Sequence, residues 1–160
     1  MSLIDSTYFI NEFSIAGIAG TNPTATANAA RLQAVINRRE PQLLKDVLGE
    51  TLYGEFIAGL AEVSPIQKWV DLKAELIDDS AKLCDYTAIM YYWWLRSEER
   101  MQTAVGNTEA IHPAVNTVSL AELYNEAIDE LKDLQDWVAS SASDYPNFDG
   151  VVLEYLNALW

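Results

Sequence analysis

Apolar residues recur along much of this chain at the three- and four-residue spacing of an α-helix. Leu32, Val35 and Ile36 share one face with the stem of Arg39, and Leu43, Leu44, Val47 and Leu48 form the next face. A helix presents such a stripe to a core. The first helix is predicted to start near Thr24–Thr26, where a threonine can cap the first free amides, and to run to Arg39. Pro41 lacks an amide hydrogen and disfavours helix at Glu40, so a kink or a fresh start with Pro41 in first position is expected. Gly49 is the expected stop. Thr51–Leu60, carrying Leu52, Tyr53, Phe56, Ile57 and Leu60, is the next helix. Ser64 and Pro65 read as cap and first residue of another, with Ile66, Trp69, Val70 and Leu72 facing inward.

Asp78 and Asp79 then stand where a helix N-terminus favours negative charge, and a long helix is predicted from Ser80 to Val105, ended by Gly106 and Asn107. Tyr86–Leu95 is its centre: ten residues without a charge, five of them aromatic. Such a segment is buried on every side, yet is too short for a bilayer, which needs about 20 apolar residues. His112-Pro113 falls in a loop. Ser119-Leu-Ala-Glu122 has the form of a capping box. The helix after it sets Leu120, Leu123, Tyr124, Ala127, Leu131, Leu134, Trp137 and Val138 on one face, and Glu122, Glu126, Asp129, Glu130, Asp133 and Asp136 on the other. Ser140–Asp144 is a polar break, Tyr145–Gly150 has turn chemistry, and the apolar tail Val151–Trp160 fits helix or strand. At the other end, Ser2–Phe13 reads as an extended arm or a turn or two of helix, and Ser14–Pro23 as a loop.

No strand-like alternation dominates and no fixed-period repeat occurs. The expected fold is therefore all-α: a bundle of five to six helices with a long central aromatic helix and flexible terminal arms. At 160 residues a single domain is expected, with residues 1–23 as arm and loop, 24–143 as bundle and 144–160 as tail.

Charge narrows the function classes. The chain has 24 acidic and 10 basic side chains, a net −14. That argues against non-specific binding to nucleic acid or anionic membrane, both of which need positive charge. The acid is uneven: residues 111–160 hold nine carboxylates against Lys132 alone, a net −8, whereas residues 1–50 hold five acids and four bases, a net −1. This is either a solvated surface, or a face for a basic partner or one that repels nucleic acid. Cys84 is the only cysteine, so no internal disulfide forms, as suits a reducing compartment. It reads as a small buried hydrophobe. The start of the chain has neither a basic region nor a long apolar run, so no signal peptide is expected and the protein is expected inside a cell or assembled there.

Chemistry-bearing patterns are absent. One histidine and one cysteine make no metal-ligand spacing. Gly17-Ile-Ala-Gly20 lacks the length and the lysine of a phosphate cradle, and His112 has no Gly-x-Ser-x-Gly partner. No catalytic residue, metal or cofactor is expected. Arg96, Glu98, Glu99 and Arg100 cluster at the exit of the aromatic run, either as salt bridges on the helix surface or as arginines reaching acids on a neighbouring subunit. The aromatic run is either plain core or part interface. Plain core is the first reading; the number of tryptophans (Trp69, Trp93, Trp94, Trp137 and Trp160) adds weight to the interface, since a chain this size has limited room for them.

Two segments carry a resemblance: Pro41-Gln-Leu-Leu-Lys-Asp-Val-Leu-Gly-Glu-Thr-Leu-Tyr-Gly54 and Leu83-Cys-Asp-Tyr-Thr-Ala-Ile-Met-Tyr-Tyr-Trp-Trp-Leu-Arg96. With the polar loop Thr103–Thr108 and the late helix bearing Trp137, they resemble helical proteins of tailed-phage and prophage structural modules, of the head–tail connector (adaptor, or head-completion) family. The likeness spans roughly 37–138 and rests on pattern rather than on a signature motif. It implies a structural virion protein of the neck, assembled in the host cytoplasm. Such a protein forms a homo-oligomeric ring, commonly of twelve copies, under the portal protein. The ring extends the DNA channel without binding DNA specifically and docks a tail or stopper protein. No membrane is involved. On this reading Trp93, Trp94, Arg96, Arg100, Gln102, Thr103 and Asn107 make subunit contacts. Glu122, Glu126, Asp129 and Asp133 face the channel, and Tyr155, Leu159 and Trp160 meet the portal or neck. The chain is longer than the smaller connectors around Ala58–Leu76. The alternative is a small acidic binding module, such as a DNA mimic or a regulator of a basic partner.

Overall fold

The computed structural model describes residues 1–105 and 117–157, with side chains over 1–99 and 120–157. Among these residues five helices occur: α1 (Pro23–Leu48), α2 (Glu50–Leu60), α3 (Gln67–Leu76), α4 (Thr87–Val105) and α5 (Thr117–Ser140). Between α3 and α4 lies one small antiparallel hairpin, β1 (Ile77–Asp78) and β2 (Leu83–Cys84), with Ile77 opposite Cys84 and Asp78 opposite Leu83. The fold is all-α, as the periodicity predicts. α1, α4 and α5 pack on one another; α2 folds back on α1, and α3 leans on α2. Among the described residues no helix is long and apolar enough to cross a membrane.

α1 starts earlier than expected and does not break. Asn22 is the cap, its side-chain oxygen accepting from the Ala25 amide at 2.8 Å, and Pro23 takes the first helical position. Pro41 lies inside the helix. Interior proline costs about 3 kcal/mol. Ending the helix there would instead unseat Leu44, Val47 and Leu48, all fully buried, each stabilising by about 1.5–3 kcal/mol. The apolar stripe therefore wins. Gly49 stops α1 and starts α2 with φ 88°, its amide donating to the Lys45 carbonyl at 2.8 Å.

The predicted start of the aromatic helix at Ser80 is also corrected. Asp78 Oδ1 accepts from the amides of Ser80 and Ala81 and from the Ser80 hydroxyl, at 2.9, 3.0 and 2.6 Å. This side-chain turn, with Lys82 at φ 55°, reverses the chain into β2. The two aspartates thus build a hairpin turn and not a helix start; α4 begins at Thr87. α3 likewise begins at Gln67, with Ile66 rather than Ser64 in the capping position. α5 begins at Thr117, so Ser119 falls within its first turn. The predicted stop at Gly106-Asn107 lies outside the described residues.

Residues 1–13 and the tail as far as residue 157 lie against the bundle. Two 3-10 turns, Ser6–Tyr8 and Asn11–Phe13, follow the first residues, and Ile4, Tyr8 and Phe9 are buried. The tail over 151–157 is neither helix nor strand. Its backbone is held by side chains and by α1. The Asp149 and Val151 amides donate to Leu48 and Asp46 carbonyls at 3.1 and 2.8 Å. Gln135 Nε2 donates to the Val47 and Val151 carbonyls, both at 2.9 Å. Asn125 accepts from the Leu156 amide at 2.7 Å and donates to its carbonyl at 3.1 Å.

Candidate assembly surfaces

α4 fills the middle of the bundle because its sequence leaves it no polar face until Arg96. Tyr86, Ile89, Met90, Tyr91, Tyr92, Trp94 and Leu95 are buried. Edge-on contacts join Tyr92 to Trp93 and to Tyr124 of α5, with ring centres 5.1 and 5.3 Å apart. Two arginines of α1 lie against the tryptophans: Arg39 sits 3.7 Å from the Trp93 ring centre and Arg31 5.5 Å from that of Trp94. Such cation–π contacts stabilise by about 0.5–2 kcal/mol according to burial. Arg31 also pairs with Glu98.

A second aromatic group ties α2, α3, α5 and the tail together. Trp69 stands 6.2 Å from Phe56 and 6.1 Å from Tyr145, and Trp137 stands 5.6 Å from Tyr145. The buried Tyr145 hydroxyl donates to the Lys68 carbonyl at 2.7 Å.

These two groups revise the expectation that the chain lacks room for its tryptophans. Trp69 is 6 % exposed and Trp94 5 %, while Trp93 and Trp137 are half-covered. Trp94, expected at a subunit contact, is buried in its own chain beneath Arg31, so it offers a neighbour almost no surface. Trp93 retains an accessible edge beside Arg39. Arg96 pairs with Glu99 on the same helix at 3.0 Å, whereas Glu98 reaches across to α1. The side chains of Arg100, Gln102 and Thr103, and the whole of Asn107, His112 and Trp160, lie outside the described residues, as does Leu159.

α5 turns its acids outward. Glu122, Glu126, Asp129, Glu130, Asp133 and Asp136 are all exposed on the face opposite Leu120, Leu131, Leu134 and Val138. Lys132 is the single base of the helix. The tail crosses the middle of this row. The Tyr155 hydroxyl donates to Asp129 at 2.5 Å, and Lys132 Nζ lies 3.6 Å from the Tyr155 ring centre. Partial burial, then Glu126 and Asp133, raise the Glu130 carboxyl above its ordinary range. Burial, then Glu130 and Glu75, push Asp85, at the entry to α4, up to about 7. Burial first, and neighbouring carboxylates second, thus hinder ionisation here.

Catalytic chemistry gains no support from the geometry. Burial pushes the Cys84 thiol well up, the opposite of what a nucleophile needs. Among the described residues no group of three or more His, Cys, Asp or Glu is placed to hold a metal ion. The residues that sequence reasoning overlooked are polar ones that hold backbone: Glu40, Asn125 and Gln135. Glu40 left a readable signal, because it falls in register with Leu32, Ile36 and Leu44 at four-residue steps in the apolar stripe. Asn125 and Gln135 left none.

No protein-family model matches the chain, and no curated protein and no solved structure matches it.

Proposed function

We propose that this chain is a head–tail connector subunit, a structural virion protein that assembles into a ring under a portal and extends the DNA channel. The observation that carries this reading is the exposed row of carboxylates on α5, from Glu122 to Asp136, on an all-α subunit. DNA passing through a channel is slowed by basic side chains, which hold phosphate and release counterions; a wall of carboxylates does neither. The resemblance of Pro41–Gly54 and Leu83–Arg96 to connector proteins supports the same reading. On it Glu122, Glu126, Asp129 and Asp133 face the channel. Trp93 and Arg96 lie at the edge that meets the next subunit, and Tyr155 stands where the tail leaves towards the portal or neck.

The same row of acids favours one rival, a module that covers the basic surface of a partner. Native mass spectrometry of the chain alone, and mixed with the portal protein encoded in the same structural module, separates the two. The connector reading predicts a closed homo-oligomer or a stoichiometric complex with portal. A monomer or dimer that ignores portal and instead captures a basic protein, with affinity falling steeply in salt, would replace it with the rival.

A further inference from the structure

Residues 1–13 are held to the bundle by side chains, and the chief of these is a buried carboxylate. Ile4, Tyr8 and Phe9 are buried at 2, 3 and 6 % exposure, although only two 3-10 turns order the segment. Its backbone is gripped by Glu40, a carboxylate only 1 % exposed. Glu40 Oε2 accepts from the Leu3 amide at 2.8 Å, and Oε1 accepts from the Ile4 amide at 3.3 Å and the Tyr86 hydroxyl at 2.7 Å. Two turns back on α1, Gln33 Nε2 donates to the Ser2 hydroxyl at 2.9 Å and the Ile4 carbonyl at 3.5 Å, and one turn back Asn37 Oδ1 accepts from the Ser2 hydroxyl at 2.9 Å. At the far end the Tyr8 hydroxyl donates to Asp79 in the hairpin turn.

Glu40 occupies a position in the apolar stripe that a leucine would suit, between Ile36 and Leu44. A carboxylate there carries a desolvation cost that hydrophobic packing would avoid. Two of its three donors belong to the arm, so it is satisfied only while the arm is docked. With the arm away, water solvates it. The two states therefore differ by these hydrogen bonds and by the burial of Ile4, Tyr8 and Phe9, and not by the fold of the five helices. The connection to α1, residues 14–22, contains Gly17 and Gly20 at φ 75° and 117°, conformations that turn the chain sharply.

We infer that residues 1–13 form a strap that opens as a unit about residues 14–22, and that Glu40 is its latch. The inference stands apart from the connector reading, since it concerns what the body of the subunit does alone. Open, the strap uncovers the α1 face at Gln33, Asn37 and Glu40 together with Tyr91, against which Phe13 packs at 5.8 Å between ring centres.

Hydrogen–deuterium exchange on the full chain tests this, comparing the wild type with Glu40→Leu and Glu40→Gln. Leucine restores the apolar stripe and removes the acceptors; glutamine keeps the shape and turns one acceptor into a donor facing the Leu3 amide. The expected result is faster exchange over residues 3–9 in both variants, by about tenfold or more from the lost hydrogen bonds. Protection of α1 and α5 stays unchanged or rises in Glu40→Leu. In the wild type, residues 3–9 exchange through an opening that leaves α5 protected. Unchanged protection of residues 3–9 in Glu40→Leu would overturn the latch. Loss of protection in α1 and α5 together with the arm would overturn the strap, making Glu40 a residue of the global fold.

Discussion

Two residues show how single positions decide this structure. Gly49 joins α1 to α2 at φ 88°, ψ 153°, a conformation that side chains rarely adopt, and a Cβ there would stand 2.9 Å from the Asp149 backbone of the crossing tail. Gly49→Ala is therefore expected to destabilise by about 1–3 kcal/mol from backbone strain, with the steric clash adding to it. Urea unfolding checks this, and an unchanged midpoint would contradict it. Asp85 is the opposite case, a charge held where charge is unwelcome. Its carboxyl is pushed up to about 7 from an ordinary 3.8, by burial first and then by Glu130 and Glu75. The native state thus binds this proton more tightly than the unfolded chain does. The resulting stabilisation is complete below about pH 4 and is lost as pH rises through 7. Asp85→Asn is expected to flatten that part of the stability profile and to be more stable than wild type above pH 7, by at least about 1 kcal/mol. Parallel profiles for the two proteins between pH 4 and 8 would show that Asp85 ionises freely.

At the scale of elements, what could be read in advance followed the range of the forces. The stripe Leu32, Ile36, Leu44, Val47 and the two faces of α5 are helical periodicity, visible in sequence because burial imposes it every three or four residues. The passage of α1 through Pro41 was not visible. It depends on what Leu44, Val47 and Leu48 meet on other helices, a tertiary effect that local propensity does not contain. The hairpin was hidden for a different reason. Two-residue strands are too short to alternate, and the turn hangs on three hydrogen bonds to one side chain, Asp78. The tail was undecidable from its own residues because Asn125 and Gln135, far away in sequence, shape it. Of the expected contact surface, the outward acids of α5 were legible from amphipathicity, and the burial of Trp94 from the uncharged run around it; its contact with Arg31 of α1 was not, since it is tertiary. The contact between α1 and α4 can be tested by a double-mutant cycle. Arg31→Met and Glu98→Gln are expected to couple by about 0.2–1 kcal/mol, as ion pairs near the surface do. A coupling of zero in urea unfolding would leave Arg31 acting through its stem and the Trp94 ring alone.

At the scale of the whole molecule, charge and burial point in different directions along the chain. The first third is nearly balanced and supplies α1, two of whose cations, Arg31 and Arg39, lie against Trp94, Trp93 and Glu98. The last third carries the net −8, and six of its nine acids face outward on α5. A molecule built this way has one helix face that repels polyanions and an α1–α4 contact held by arginine–aromatic pairs. In a ring, the first suits a lumen and the second suits the body of the wall. Single-particle reconstruction of the chain together with its portal protein tests that arrangement most directly. The connector account predicts a closed ring coaxial with the portal, with Glu122, Glu126, Asp129 and Asp133 of every subunit lining the lumen. Particles with no ring on the portal, or a ring carrying those carboxylates on its outer wall, would contradict it.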